Sequence, residues 1–221
     1  MRSRCARNIL KIFYQIRRNI AKILEGCLAG PWLITPITER YPLPLMCFPR
    51  RRISPFIELS LKYLRVLSCR ATKVEGALCL RICTWALLKD KNTGEIILFA
   101  NTHLDHSNDE VRSAQMDILM DYLADRIGAY PFYLTGDFNC EVNSIPYETV
   151  TARLQDSHKT AWEDLSTAVN TYHAYTVEGK SEIDFIFHND RTTPVQYEII
   201  SKDYDGFVSD HYGVIADFVN D

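Results

Sequence analysis

Apolar positions in this chain switch between two periods, and the switches outline its elements. Arg81 to Leu88 reads as a strand, and Lys89 to Gly94 has turn chemistry. Glu95 to Thr102 reads as a second strand, so the two predict a β-hairpin with a longer loop. Ser107-x-x-Glu110 has the form of a capping box. A helical stripe follows at Val111, Ala114, Ile118, Leu119, Tyr122 and Ile127, with Gly128 placed as a C-cap. Phe132 to Thr135 is a short buried strand, and strand, helix, strand in about 40 residues is the grammar of an α/β layer. Ser144-Ile145-Pro146 starts a short helix that runs through Leu154. Residues 155–180 read as loop, with Trp162, Tyr172, His173 and Tyr175 scattered in it. The alternation of Glu182 to Phe187 predicts a strand with Ile183, Phe185 and Phe187 on one face and Asp184 on the other. Gln196 to Ser201 and Tyr212 to Val219 complete the strands.

The first 80 residues are less regular. Ile9, Phe13, Ile16, Ile20 and Ile23 share one helical face, which predicts a basic amphipathic helix over residues 1–28. It would lie on a membrane or an RNA, or simply dock its apolar face on the core. Six prolines between Pro31 and Pro55 break any element there. Arg50-Arg51-Arg52 among them can contact phosphates or be a solvated loop. An apolar, Leu-rich run from Pro55 to Cys69 predicts a strand or a short helix.

Charge sharpens the contrast. Residues 1–80 carry 15 Lys/Arg, 4 Glu and no Asp, whereas residues 81–221 carry 10 Lys/Arg and 24 Asp/Glu. Such asymmetry fits a basic arm for nucleic acid or an anionic surface, or two parts without a common history. The 7 cysteines form no CxxC pair and read as reduced thiols of a cytoplasmic protein. Arg7, Lys11, Arg17, Arg18 and Lys22 break any signal-peptide core. No stretch approaches the roughly 18 uncharged apolar residues of a membrane span.

Chemistry gathers at strand ends. Gly136-Asp137-Phe138-Asn139 follows the strand at Phe132; His103 ends the strand before it; Asp184 opens a later one; Asp210-His211 precedes the last. Singly, each has a plain reading: a turn, a surface histidine, an aspartate bonding a loop, a cap. In this order the strings Asn101-Thr102-His103-Leu104, Gly136-Asp137-Phe138-Asn139, Ile183-Asp184-Phe185-Ile186 and Ser209-Asp210-His211 resemble the endonuclease/exonuclease/phosphatase family. Arg81 to Ala86 and the Asp105-His106 extension look like its small bacterial members, and the resemblance covers about residues 81–219.

The resemblance implies an α/β fold of two packed β-sheets flanked by helices, a four-layer sandwich of the deoxyribonuclease I type. Residues 81–221 would form that domain, and residues 1–80 an atypical or incomplete N-terminal part. It implies a divalent-metal-dependent phosphoesterase using Mg²⁺ or Mn²⁺, acting on a phosphodiester or phosphomonoester in a nucleic acid or a small phosphorylated molecule. By match, Asp137 activates water or approaches the metal, and Asn139 orients water or phosphate. Asp184 holds His211, His211 and His103 bond the phosphoryl oxygens, and Asp210 approaches the metal.

Family members also carry a strand-borne Asn and a Gln-Glu pair whose Glu is the principal metal ligand. Here the acids before residue 81 are Glu25, Glu39, Glu58 and Glu75, and none follows a Gln. A diverged N-terminal half, an altered upstream reading frame, and Glu25 or Glu39 as substitute ligand are three open explanations. An incomplete metal site would impair activity. The alternative function is a non-catalytic protein that binds nucleic acid or anionic lipid through the basic segment.

Overall fold

The computed structural model describes residues 74–89, 94–176, 179–201, 207 and 209–220, with the backbone of 9–14 and 67–68. Its strands are β1 Ile9–Tyr14, β2 Leu67–Ser68, β3 Cys83–Lys89, β4 Ile96–His103, β5 Phe132–Asp137, β6 Gln155–Asp156, β7 Glu163–Asp164, β8 Asp184–His188, β9 Thr192–Ile200 and β10 Gly213–Asn220. The helices are α1 Asp109–Ile127, α2 Ile145–Thr151 and α3 Ser157–Thr160. Two sheets result, a six-stranded one in the order β2-β3-β4-β5-β8-β6 and a four-stranded one in the order β1-β10-β9-β7.

Strand alternation builds two cores. Phe132 and Leu134 of β5, with Phe185 and Phe187 of β8, join Met116, Leu119, Met120 and Leu123 of α1 and Tyr147 and Val150 of α2 on one face of the larger sheet. Tyr133 and Ile186 point the other way and meet Tyr197, Ile199, Val214, Ala216 and Phe218 of the smaller sheet. The larger sheet is therefore buried on both sides, and every residue of β5 is buried. The β3–β4 hairpin is antiparallel, and β4 and β5 are parallel with α1 as crossover.

Several sequence expectations change. Residues 9–14 form strand β1 paired antiparallel with β10, not part of a helix. β-Branched and aromatic residues at Ile9, Ile12, Phe13 and Tyr14 suit a strand once β10 offers an edge. The rest of residues 1–28, the proline-rich stretch and Arg50–Arg52 lie outside the described residues. Of the Pro55–Cys69 run, Leu67 and Ser68 pair with β3. The cap of α1 is Asn108, whose side chain accepts from Val111 N at 2.9 Å, rather than Ser107. The buried face of α1 is Val111, Gln115, Met116, Leu119, Met120 and Leu123, so Ile118 and Tyr122 are exposed. Gln115 turns the stripe because its side chain accepts from Asp105 N at 2.9 Å. Residues 155–180 hold β6, α3 and β7 rather than loop alone.

His158 ties three of these pieces together. Its Nδ1 lies 2.7 Å from Glu182 Oε1 and its Nε2 3.1 Å from Asp164 Oδ2, and its ring stacks on Tyr197 at 4.3 Å. Burial alone would lower its pKa, but the two acids outweigh burial and push it up to about 9.

Two measurements check this packing. A Cβ on Gly136 would fall onto the Thr102 carbonyl oxygen of β4, so Gly136→Ala destabilises by about 1–3 kcal/mol, read as a lower urea midpoint. His158, with its folded pKa raised, contributes stability that is fully present below the unfolded value of about 6.5 and lost as pH rises through about 9. Urea midpoints should fall across that window, and His158→Gln should flatten the fall.

Candidate functional site

Register places the chemistry. His103 pairs with Asp137 across the parallel β4–β5 ladder, and Asp137 pairs with Asp184 across the antiparallel β5–β8 ladder. The three residues form one row across the larger sheet. All three share the strand parity of Tyr133 and Ile186, so they stand on the face toward the second sheet. His211 arrives just before β10 of that second sheet.

Asp137 is the hub. Its Oδ2 lies 3.3 Å from His103 Nε2 and 4.0 Å from His211 Nε2. Its Oδ1 accepts from Asn139 N at 2.8 Å. Asn139 stands at φ 49°, a left-handed conformation that asparagine tolerates. Its side-chain amide donates to Leu104 O at 2.9 Å, and Leu104 N donates to Asp137 O at 2.9 Å. The two strand-end loops are thus laced together around the carboxylate. Asp184 is fully buried, and its Oδ2 lies 2.7 Å from His211 Nδ1. That contact leaves His211 Nε2 turned toward Asp137, the arrangement of a carboxylate orienting an imidazole.

Burial is the largest single influence on each of these groups, and for His211 its partners together overcome it. It raises Asp137 to about 7, with the Asp184 charge adding and His211 opposing. It raises Asp184 as well, against the bond to His211. Burial would lower His211, but the Asp184 bond and charge outweigh it and the net shift is upward. His103 falls to about 4 through burial, then the charge of Arg81 and that of His211. At neutral pH the His103–Asp137 contact is therefore a neutral imidazole against a carboxyl, not an ion pair.

Asp137, Asp184 and His211 bring potential ligand atoms within 4.8 Å of one another. Two buried carboxyls this close, each raised by burial, suit a hard divalent cation, which would return Asp137 to its charged form. Asp210 is half-buried. Its carbonyl accepts from His173 N at 2.9 Å and Ala174 N at 3.1 Å, and its charge raises both Asp184 and His211. Glu75 is exposed, and Glu25, Glu39 and Glu58 lie outside the described residues.

Sequence reasoning missed the supports. Thr171 Oγ1 accepts from Ile183 N at 3.0 Å and Asp184 N at 3.1 Å, and Thr171 O accepts from Tyr212 N at 2.7 Å. One residue thus fixes both partners of the His211–Asp184 contact. Tyr172 sets its ring 4.9 Å from that of His211, while Trp162 is exposed. Among the described residues no helix is long and apolar enough to cross a membrane.

Two proton titrations test the electrostatics, followed by NMR without divalent cations. The His103 ring should titrate near pH 4, and Arg81→Met should move it upward because a neighbouring positive charge is removed. Asp184→Asn should lower the His211 midpoint. A His103 midpoint near the ordinary value of about 6.5 would contradict this burial.

Comparison with known proteins adds the following. The family described as "Endonuclease/Exonuclease/phosphatase family" matches residues 31–211, starting well before the boundary at residue 81 that the motifs suggested. No curated protein matches the chain. An endonuclease/exonuclease/phosphatase structure from Bacteroides vulgatus is 33% identical with a TM-score of 0.62, and the match covers 66% of this chain and 57% of that one. The Bacteroides thetaiotaomicron mannosyl-6-phosphatase is 26% identical with a TM-score of 0.60, covering 67% and 60%. The human Nocturnin catalytic domain, at 19% identity and a TM-score of 0.55 over 72% and 60%, shares the fold. The chain thus spans less than two thirds of the length of each of these three proteins.

Proposed function

This chain belongs to the endonuclease/exonuclease/phosphatase family, and from that premise we propose that it is a divalent-metal-dependent phosphoesterase. The observation that carries the reading is Asp137, a buried carboxylate with an imidazole on either side, 3.3 Å and 4.0 Å away. Its coarse class, a hydrolase of phosphate esters, is that of the family. The reaction is attack of water on phosphorus with loss of an alcohol.

Asp137 accepts the proton of the attacking water. Its raised pKa in the cation-free protein marks a carboxylate that gains from any neighbouring positive charge. Asn139 holds Asp137 through its backbone N–H and has amide capacity left to orient water or phosphate. His211, fixed by Asp184, and His103 donate to the phosphoryl oxygens as charge develops on them. Asp137, from the Asp137–Asp184–His211 cluster, and Asp210, next to His211 in the chain, would hold Mg²⁺ or Mn²⁺, which when bound would neutralise the phosphoryl oxygens and aid ionisation of water. The substrate is a phosphate ester, in a nucleic acid or a small phosphorylated molecule. The relative named mannosyl-6-phosphatase supports the second of these at 26% identity.

Hydrolysis of p-nitrophenyl phosphate and bis(p-nitrophenyl) phosphate, each with Mg²⁺, with Mn²⁺ and with chelator, tests the reading. Turnover should need the cation, and Asp137→Asn should lower kcat by about 10²–10⁴-fold. A cooperatively folded protein that hydrolyses no phosphate ester under any of these conditions would sink it.

A further inference from the structure

A cation that the mechanism above does not use sits beside the row. Arg81 lies just before β3, and its anchors, Asp105 and His106, follow His103 by two and three residues. Asp105 is fully buried and well bonded without the arginine. Its Oδ2 accepts from Cys79 N at 2.8 Å and its Oδ1 from Ser107 N at 2.9 Å. Although burial would raise it, these bonds hold its carboxyl down at about 2, so the charge is permanent.

Arg81 reaches this charge only loosely. Its Nε is 3.9 Å from Asp105 Oδ2, beyond hydrogen-bond distance, and Nη2 is 3.3 Å from His106 Nδ1. Nε is buried and has no hydrogen-bond partner among the described residues. A guanidinium carries five N–H donors, and among the described residues only Nη2 of Arg81 meets an acceptor. A buried, unbonded donor on a charged group is costly, so its retention calls for an acceptor that arrives from elsewhere. Cys83 pairs with Thr102 across the β3–β4 ladder and Thr102 Oγ1 donates to Ile82 O at 3.2 Å, so Arg81, next before Ile82, lies at the end of the ladder that carries His103, and its charge lowers both His103 and Asp137.

We propose that Arg81, steadied by Asp105, binds a non-bridging oxygen of the substrate's phosphoryl group and biases this protein toward phosphomonoesters over phosphodiesters. The proposal rests on the phosphoesterase reading and deepens it. A monoester offers three non-bridging oxygens and up to two negative charges; a diester offers two oxygens and one charge. His103 and His211 supply donors for two oxygens, and Arg81 serves the third. Its planar fork is the side chain best matched to phosphate, and lysine keeps the charge but not the fork. The competing role for Arg81 is purely structural, as a tie on the Asp105 loop. In that role its loss would affect every substrate alike.

The test compares wild type, Arg81→Lys and Arg81→Met in three measurements. These are kcat/KM for p-nitrophenyl phosphate, kcat/KM for bis(p-nitrophenyl) phosphate, and affinity for inorganic phosphate by calorimetry in Mg²⁺. Arg81→Met should lose about 10- to 100-fold on the monoester, about threefold or less on the diester, and about tenfold in phosphate affinity. Arg81→Lys should recover part of each loss. Equal losses on the two esters with phosphate affinity unchanged, or no loss at all, would overturn the proposal while leaving the phosphoesterase reading intact. If wild type hydrolyses neither ester, that reading fails separately. Phosphate affinity then decides for Arg81: a fall in Arg81→Met sustains its role, and equal binding overturns it.

Discussion

Two carboxyl groups, Asp137 and Asp184, face each other across neighbouring strands inside the protein, and that juxtaposition organises the site. Like charges out of water repel and are poorly solvated, so at least one must be neutralised by a proton or a partner. The molecule answers with His211, bonded to Asp184 and turned toward Asp137, while the neutral imidazole of His103 flanks Asp137 on the other side. What remains is a pair of carboxyls raised by burial, which gains from a cation or from a reaction that hands it a proton. His103 stays neutral because burial disfavours its charged form and because Arg81 and His211 already supply positive charge around it.

The double-sheet architecture makes that pair possible. One sheet contributes a row of three residues through simple ladder register, and the other contributes His211 from the start of β10. Both cores wrap the strands that carry the row, so the side chains are held by packed sheet rather than by loop alone. Thr171 then pins the point where the two sheets meet, because its hydroxyl takes the N–H of Asp184 and its carbonyl that of Tyr212. The close approach at Gly136 keeps β4 and β5 near enough for His103 to reach Asp137.

Much of this was readable from residues 81–219, and the reasons are physical. Strand ends carrying Asp and His stand out when the strands themselves are nearly all apolar, as in β5 and β8. Alternation in β8 correctly separated Phe185 and Phe187 from Asp184. Three kinds of information were hidden. The partner of β1 is β10, some two hundred residues away in sequence, and no local pattern announces it. The face of α1 was set by Gln115, a polar residue buried because it accepts from Asp105 N, which apolar counting discards. Thr171 acts by accepting backbone N–H groups with its hydroxyl and its carbonyl, and a lone threonine carries no spacing signal. The motifs also stop at residue 81, although the family match begins at residue 31.

The central claim is that these strand ends form one centre that directs water onto phosphorus. Hydrolysis of a phosphate ester in ¹⁸O-labelled water, with mass analysis of both products, tests it most directly. The account predicts one solvent oxygen in the phosphorus-containing product and none in the alcohol. Label in the alcohol, or none in the phosphorus-containing product, would show that the bond broken is not the one this site is built to break.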